Sequence, residues 1–182
     1  MVLAICYLLL AVRQIIWCWL AWILSSCLYL YVMFNAGLYM EAALQIFYVV
    51  MGFYGWMQWS KGGTEDHLVV RRWGFGSHLF AVAVILILTL LSGEVLSNYT
   101  AAAMPFMDAL TTWGAIVTTY MVAKKLIENW IYWFVIDSIS IYLFISRELY
   151  FTAGLFFVYL FIIIFGYRSW KQMELVQGES SN

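Results

Sequence analysis

Apolar runs at about 1–12, 14–34, 38–59, 77–97, 104–123, 129–146 and 149–167 alternate with short polar or charged breaks. A helix needs about 20 residues to cross about 30 Å of hydrocarbon, and six of the runs reach that scale. The first run, as a helix, covers only about 18 Å. The pattern therefore predicts an all-α polytopic membrane protein with seven transmembrane helices, the first of them truncated.

The pattern also repeats. Trp19 to Lys61 set without gaps against Trp130 to Gln172, an offset of 111 residues, gives ten identities in 43 positions. Three are tryptophan pairs: Trp19 with Trp130, Trp22 with Trp133 and Trp59 with Trp170. Tyr31 and Tyr142, Tyr48 and Tyr159, and Gly55 and Gly166 also coincide, as do Leu38-Tyr39 with Leu149-Tyr150, Ala42 with Ala153 and Leu44 with Leu155. Related helical halves commonly enclose a solute path. The offset sets Arg13 against Lys124 and the first run against the second part of the fifth, which predicts that the outer half of helix one is missing, through a displaced start site or a genuine half-helix. The expected organisation is 1–60 as a first three-helix bundle, 61–103 as a cytoplasmic loop with a linker helix, 104–172 as a second bundle and 173–182 as a cytoplasmic tail. One linker helix leaves the bundles parallel, an arrangement of three, one and three helices.

Composition fits this picture: 65% hydrophobic and 10% charged residues leave too little polar surface to cover a water-soluble globule. The nine basic residues are scattered and form no nucleic-acid-binding stripe. With alternating spans, Arg13, Lys61, Arg71, Arg72, Lys124, Lys125, Arg168 and Lys171 fall on one side and Arg147 alone on the other. That asymmetry predicts an outer N-terminus and a cytoplasmic C-terminus.

Polar groups at membrane depth are costly unless they meet other helices, water or a ligand, which makes each a candidate. They are Ser25, Ser26, Gln45, Tyr48, Asp108, Thr111, Thr112, Thr118, Thr119, Asn129, Asp137, Ser138, Ser140 and Tyr159. Asn129 and Trp133, four apart, share a helix face. An amide beside an indole suits a planar ring bearing a carboxamide, or a cationic ring over the tryptophan. A helix cap and an interfacial aromatic are the plainer alternative. Asp137 lies one turn farther along the face, as a hydrogen bond between helices or a proton-coupling carboxylate. Asp108 and Glu128 are placed to complement helix N-termini. Gly55 and Gly166 would permit close helix approach or bending. Cys6, Cys18 and Cys27 read as small hydrophobes, and His67 and His78 as solvated loop residues, so no metal or cofactor is expected.

Three segments, Phe47-Tyr48…Tyr54-Gly55-Trp56-Met57-Gln58-Trp59, Pro105-Phe106-Met107-Asp108-Ala109-Leu110-Thr111-Thr112 and Glu128-Asn129-Trp130-Ile131-Tyr132-Trp133, closely resemble the PnuC family of bacterial vitamin transporters. The similarity extends from about Tyr7 to Trp170. It implies a SWEET-like fold of parallel three-helix bundles, a homotrimer in the bacterial inner membrane, and facilitated diffusion of nicotinamide riboside by alternating access. A cytoplasmic kinase then traps the substrate. The resemblance assigns Asn129 and Trp133 to the nicotinamide ring; Gln45, Tyr48 and Tyr159, which face inward if the repeat packs as expected, are secondary candidates for ribose hydroxyls. Thr119 stands where many nicotinamide riboside carriers have a larger amide, which keeps thiamine, and beside it riboflavin, as alternatives. No Walker-type phosphate loop occurs, so the chain is not expected to use ATP. A membrane enzyme lacks a nucleophile–base or metal cluster, and a non-catalytic scaffold subunit leaves the amide–indole–carboxylate face unexplained.

Overall fold

The computed structural model describes residues 2–35, 39–60, 69–99 and 104–180. These residues form seven helices: α1 Val2–Val12, α2 Trp17–Asn35, α3 Tyr39–Ser60, α4 Phe75–Tyr99, α5 Pro105–Ala123, α6 Asn129–Ser146 and α7 Tyr150–Ser180. The final helix passes well beyond the last apolar run, so the stretch read as a tail from 173 continues α7 as far as Ser180. Among the described residues, α4, α6 and α7 are long and apolar enough to cross a membrane by length and composition. Their neighbours fall short of that measure for a physical reason. α5 carries Asp108 and four threonines, and α3 is dense in tyrosine, tryptophan and glutamine, all of which lower mean hydropathy.

Helix α5 opens with Pro105 in its first turn, where a missing N–H costs nothing. Three helices end alike. Gln14, Lys125 and Glu148 adopt left-handed backbone at φ 53, 52 and 60. In each case the following amide reaches back five residues: Ile15 to Leu10, Leu126 to Met121 and Leu149 to Phe144. That is the Schellman closure, here adopted by residues other than glycine and so carrying some strain. Gln14 and Lys125 are separated by the repeat offset.

Packing follows the repeat. α2 packs against α1 and α3, and α6 against α5 and α7. The crossings between the halves are α3 on α5 and α1 on α7, one contact used twice. α4 packs mainly on α5, with His78 also reaching Tyr132 of α6, and leaves Phe80, Leu90 and Leu91 exposed as a membrane-facing side chain would be.

A tryptophan cluster lies near the α1–α2 and α5–α6 corners. Trp19 and Trp59 meet edge to face at 5.5 Å and 89°, and Trp130 and Trp170 meet at the same distance and angle. A Cβ on Gly55 would land in the Trp19 ring, and one on Gly166 in the Trp130 ring. The glycine pair thus serves the close approach expected of it. Each glycine lets an indole lie flat on the next helix, where a fully buried aromatic contributes the most.

Candidate functional site

A cavity of about 310 Å³ lies among six of the helices. Three pairs of repeat-related residues line it: Ala4 with Ala115, Trp22 with Trp133, and Tyr48 with Tyr159. Tyr7 and Leu8 extend its wall along α1, and Phe156 and Ile163 along α7. Its polar groups come mostly from the second half: Thr111, Thr112, Asp137 and Ser140. Larger grooves against α4 have mostly apolar linings, with His78, Glu128 and Tyr132 as polar groups in one of them.

Local contacts fix the first-half wall. The Trp22 indole donates 2.8 Å to the Tyr48 carbonyl, and Tyr7 packs on the Trp22 ring at 4.7 Å. Tyr48 meets the other edge of Trp22 at 5.3 Å. On the opposite wall Phe156 braces Tyr159 at 5.3 Å. Asp137 is only 5% exposed and makes no salt bridge among the described residues. Its repeat counterpart is Ser26, so the carboxylate breaks the symmetry of the site.

Of the residues singled out from sequence, Trp133, Asp137, Tyr48, Tyr159, Thr111, Thr112 and Ser140 line this cavity. Gln45 is half-buried on α3 but lies outside the lining, where its repeat counterpart Phe156 is found. Thr119 is fully buried, and its hydroxyl donates 2.7 Å to the Ala115 carbonyl in its own helix. Asn129 is also fully buried, one turn below Trp133, with its amide nitrogen bonded to the Leu126 carbonyl. Its Oδ1 has no hydrogen-bond partner among the described residues. Tyr7, Trp22 and Phe156 were not singled out, although pairing Trp22 with Trp133 through the repeat would have flagged the first-half wall.

The two ends of the helices differ. At one end Asp108 pairs with Arg147 at 2.5 Å, so its carboxylate has an ionic partner as well as a helix N-terminus. At the other, segment 70–73 crosses the α5–α6 corner. Arg71 exchanges two backbone bonds of 3.0 Å with Lys125 and Ile127, and the Trp73 amide donates to Glu128. Arg72 holds Glu174 with two bonds of 2.6 and 2.7 Å, and that hydrogen-bonded carboxylate raises the guanidinium pKa further. Burial lowers the pKa of Lys125, whose ammonium sits 4.9 Å over the Trp59 ring. His78 corrects its reading as a solvated loop residue: it belongs to α4, where its Nδ1 lies 3.0 Å from the Tyr132 hydroxyl. His67 lies outside the described residues. No group of three or more histidine, cysteine or acidic side chains is placed to hold a metal among the described residues.

Residues 1–172 match the family model described as nicotinamide mononucleotide transporter. The chain is similar to the nicotinamide riboside transporter PnuC of Escherichia coli K12, 25% identical over 81% of this chain and 72% of that protein. It is similar to the riboflavin/roseoflavin transporter RibM of Streptomyces davaonensis, also 25% identical, over 93% of this chain and 81% of that one. The crystal structure of the vitamin B3 transporter PnuC shares the fold with a TM-score of 0.70 and 23% identity, covering 92% of this chain and 77% of that one.

Proposed function

Because the chain belongs to the nicotinamide mononucleotide transporter family, and is thus a multi-pass membrane transporter of the vitamin class rather than an enzyme, we propose that it carries nicotinamide riboside by facilitated diffusion. The observation that carries this reading is the cavity lining: two tryptophans, three tyrosines and one carboxylate, with no lysine, arginine or histidine. Nicotinamide riboside is a flat pyridinium with a neutral sugar. Its permanent charge suits an aromatic face beside Asp137. A mononucleotide would bring a phosphate into a cavity that has a carboxylate and no cation, an uncompensated repulsion in a poorly solvated place.

In this reading the ring stacks on Trp133 opposite Trp22, the carboxylate of Asp137 faces the ring's positive charge, and Tyr48 and Tyr159 meet the ribose. Asn129 and Thr119 shape the floor from behind Trp133 and Ala115, and Gln45 borders the wall from α3. The helices act as two parallel bundles, α1–α3 and α5–α7, linked by α4 in a SWEET-like arrangement that exposes the cavity alternately to either side. The basic α5–α6 corner is cytoplasmic, following the positive-inside bias. The transporter works in the bacterial inner membrane as a homotrimer among its lipids, and a cytoplasmic kinase keeps the gradient inward.

Riboflavin is the second reading, favoured by the similarity to RibM over most of the chain. A cavity of about 310 Å³ lies at the small end of ligand pockets, about 300–1,000 Å³, which supports the smaller vitamin. Titrating purified protein with nicotinamide riboside, thiamine and riboflavin while following tryptophan quenching separates these readings. Saturation by nicotinamide riboside, weakened in Trp133→Ala, supports the first; saturation by another vitamin alone replaces the substrate.

A further inference from the structure

We propose that the cavity is closed at its basic end by a pair of repeat-related indole clasps, Trp59 on Val122 and Trp170 on Ala11, and that these two bonds are the gate that must open together for solute to leave. The inference rests on the transport reading, since it concerns how the same cavity opens.

The geometry is the same on both sides. Trp59 Nε1 donates 3.3 Å to the Val122 carbonyl, and Trp170 Nε1 donates 3.0 Å to the Ala11 carbonyl. Donors and acceptors alike are separated by the repeat offset, 59 to 170 and 11 to 122. Both bonds join opposite halves of the chain, α3 to α5 and α7 to α1. Each acceptor is the carbonyl that already takes the Schellman amide at its corner, from Gln14 to Ala11 and from Lys125 to Val122. The clasps therefore seize the two helix ends at their tightest turns. The two indoles also meet each other, with ring centres 6.2 Å apart.

The clasps lie below the cavity. On α1 the lining residues are Ala4, Tyr7 and Leu8, and Ala11 is one turn farther. On α5 the lining stops at Ala115 and Val122 is two turns farther. Ser169 Oγ adds a 3.2 Å bond to the Val12 carbonyl, and the Lys125 ammonium lies over the Trp59 ring.

A hydrogen-bond balance makes this contact reversible. Trp19 Nε1, Trp130 Nε1, Gln14 Nε2 and Asn129 Oδ1 are buried without a hydrogen-bond partner among the described residues. Buried donors and acceptors left unpaired oppose the closed arrangement. Parting the clasps admits water to the same corners, so the bonds lost at Trp59 and Trp170 are offset by partners gained at their neighbours. The closed and open forms are thereby held close in free energy, as a passive carrier requires.

Cys18, fully buried beside Trp19, reports on the gate without any substrate. In protein carrying Cys6→Ala and Cys27→Ala, the alkylation rate of Cys18 by N-ethylmaleimide is compared with Trp59→Phe, Trp170→Phe and both. Phenylalanine keeps an aromatic ring and removes the N–H. Each single change should raise the rate about tenfold, equally for the two, and the pair should raise it further. Unchanged rates in folded variants, or a response to only one of them, would overturn the proposal. Should a variant fail to fold, spin labels at Val12→Cys and Ser169→Cys, in a chain otherwise free of cysteine, decide the matter. Two distance populations support the gate, and a single short one rejects it. Since neither readout uses a vitamin, a wrong substrate leaves both intact, whereas a failed gate leaves vitamin binding intact.

Discussion

The indole of Trp170 donates a hydrogen bond to the carbonyl of Ala11, 3.0 Å away and 159 residues earlier in the chain. The bond ties α7 to the end of α1, and its repeat-related twin ties α3 to the end of α5. A cavity bounded by both crossings has walls from both halves, so its shape changes whenever the halves move relative to each other.

Trp133→Ala should weaken nicotinamide riboside binding by about 1–2 kcal/mol, roughly five- to thirtyfold, from loss of the cationic ring's aromatic partner. Trp133→Phe should recover part of it, because phenylalanine offers a weaker face. Isothermal titration of the two variants checks the order.

Asp137→Asn keeps size and removes charge. It should weaken binding of the pyridinium substrate about tenfold while leaving any binding of neutral riboflavin nearly unchanged. A parallel titration with both vitamins distinguishes charge recognition from a purely structural role, which would move the two together.

Gly55→Ala and Gly166→Ala each push a methyl into an indole ring. Overpacking of this kind costs about 1–3 kcal/mol, so each variant should melt several degrees lower in detergent. Combining Gly55→Ala with Trp19→Phe should cost less than the sum of the two single changes. An additive result would mean that the methyl and the ring do not compete for space.

Arg72→Ala removes a well-formed but largely exposed ion pair with Glu174. The loss should stay under about 1 kcal/mol and shrink in high salt, as measured by a double-mutant cycle with Glu174→Ala.

Much of this architecture was legible in the chain because hydrophobic runs and a fixed offset are local, countable signals. They located all seven helices, paired Trp19 with Trp130 and Trp59 with Trp170, and singled out Gly55 and Gly166. The site was legible only in part. Trp133 and Asp137 stood out as an aromatic and a charge at membrane depth. Tyr7 gave no such signal, since a tyrosine in an apolar run reads equally well as an interfacial residue, and only the packing of α1 on α2 brings it to Trp22. Thr119 illustrates the reverse. Its hydroxyl looked available, yet a helix offers a carbonyl four residues back, and Thr119 uses it. The clasps were hidden for a further reason: an acceptor on the backbone leaves no trace in side-chain identity.

Counterflow in proteoliposomes tests the central claim most directly. Vesicles loaded with unlabelled nicotinamide riboside and diluted into a trace of labelled substrate should accumulate label transiently, without ATP or an imposed ion gradient, and Trp133→Ala should slow the uptake. No accumulation above empty vesicles, from protein that is folded and reconstituted, would contradict the account.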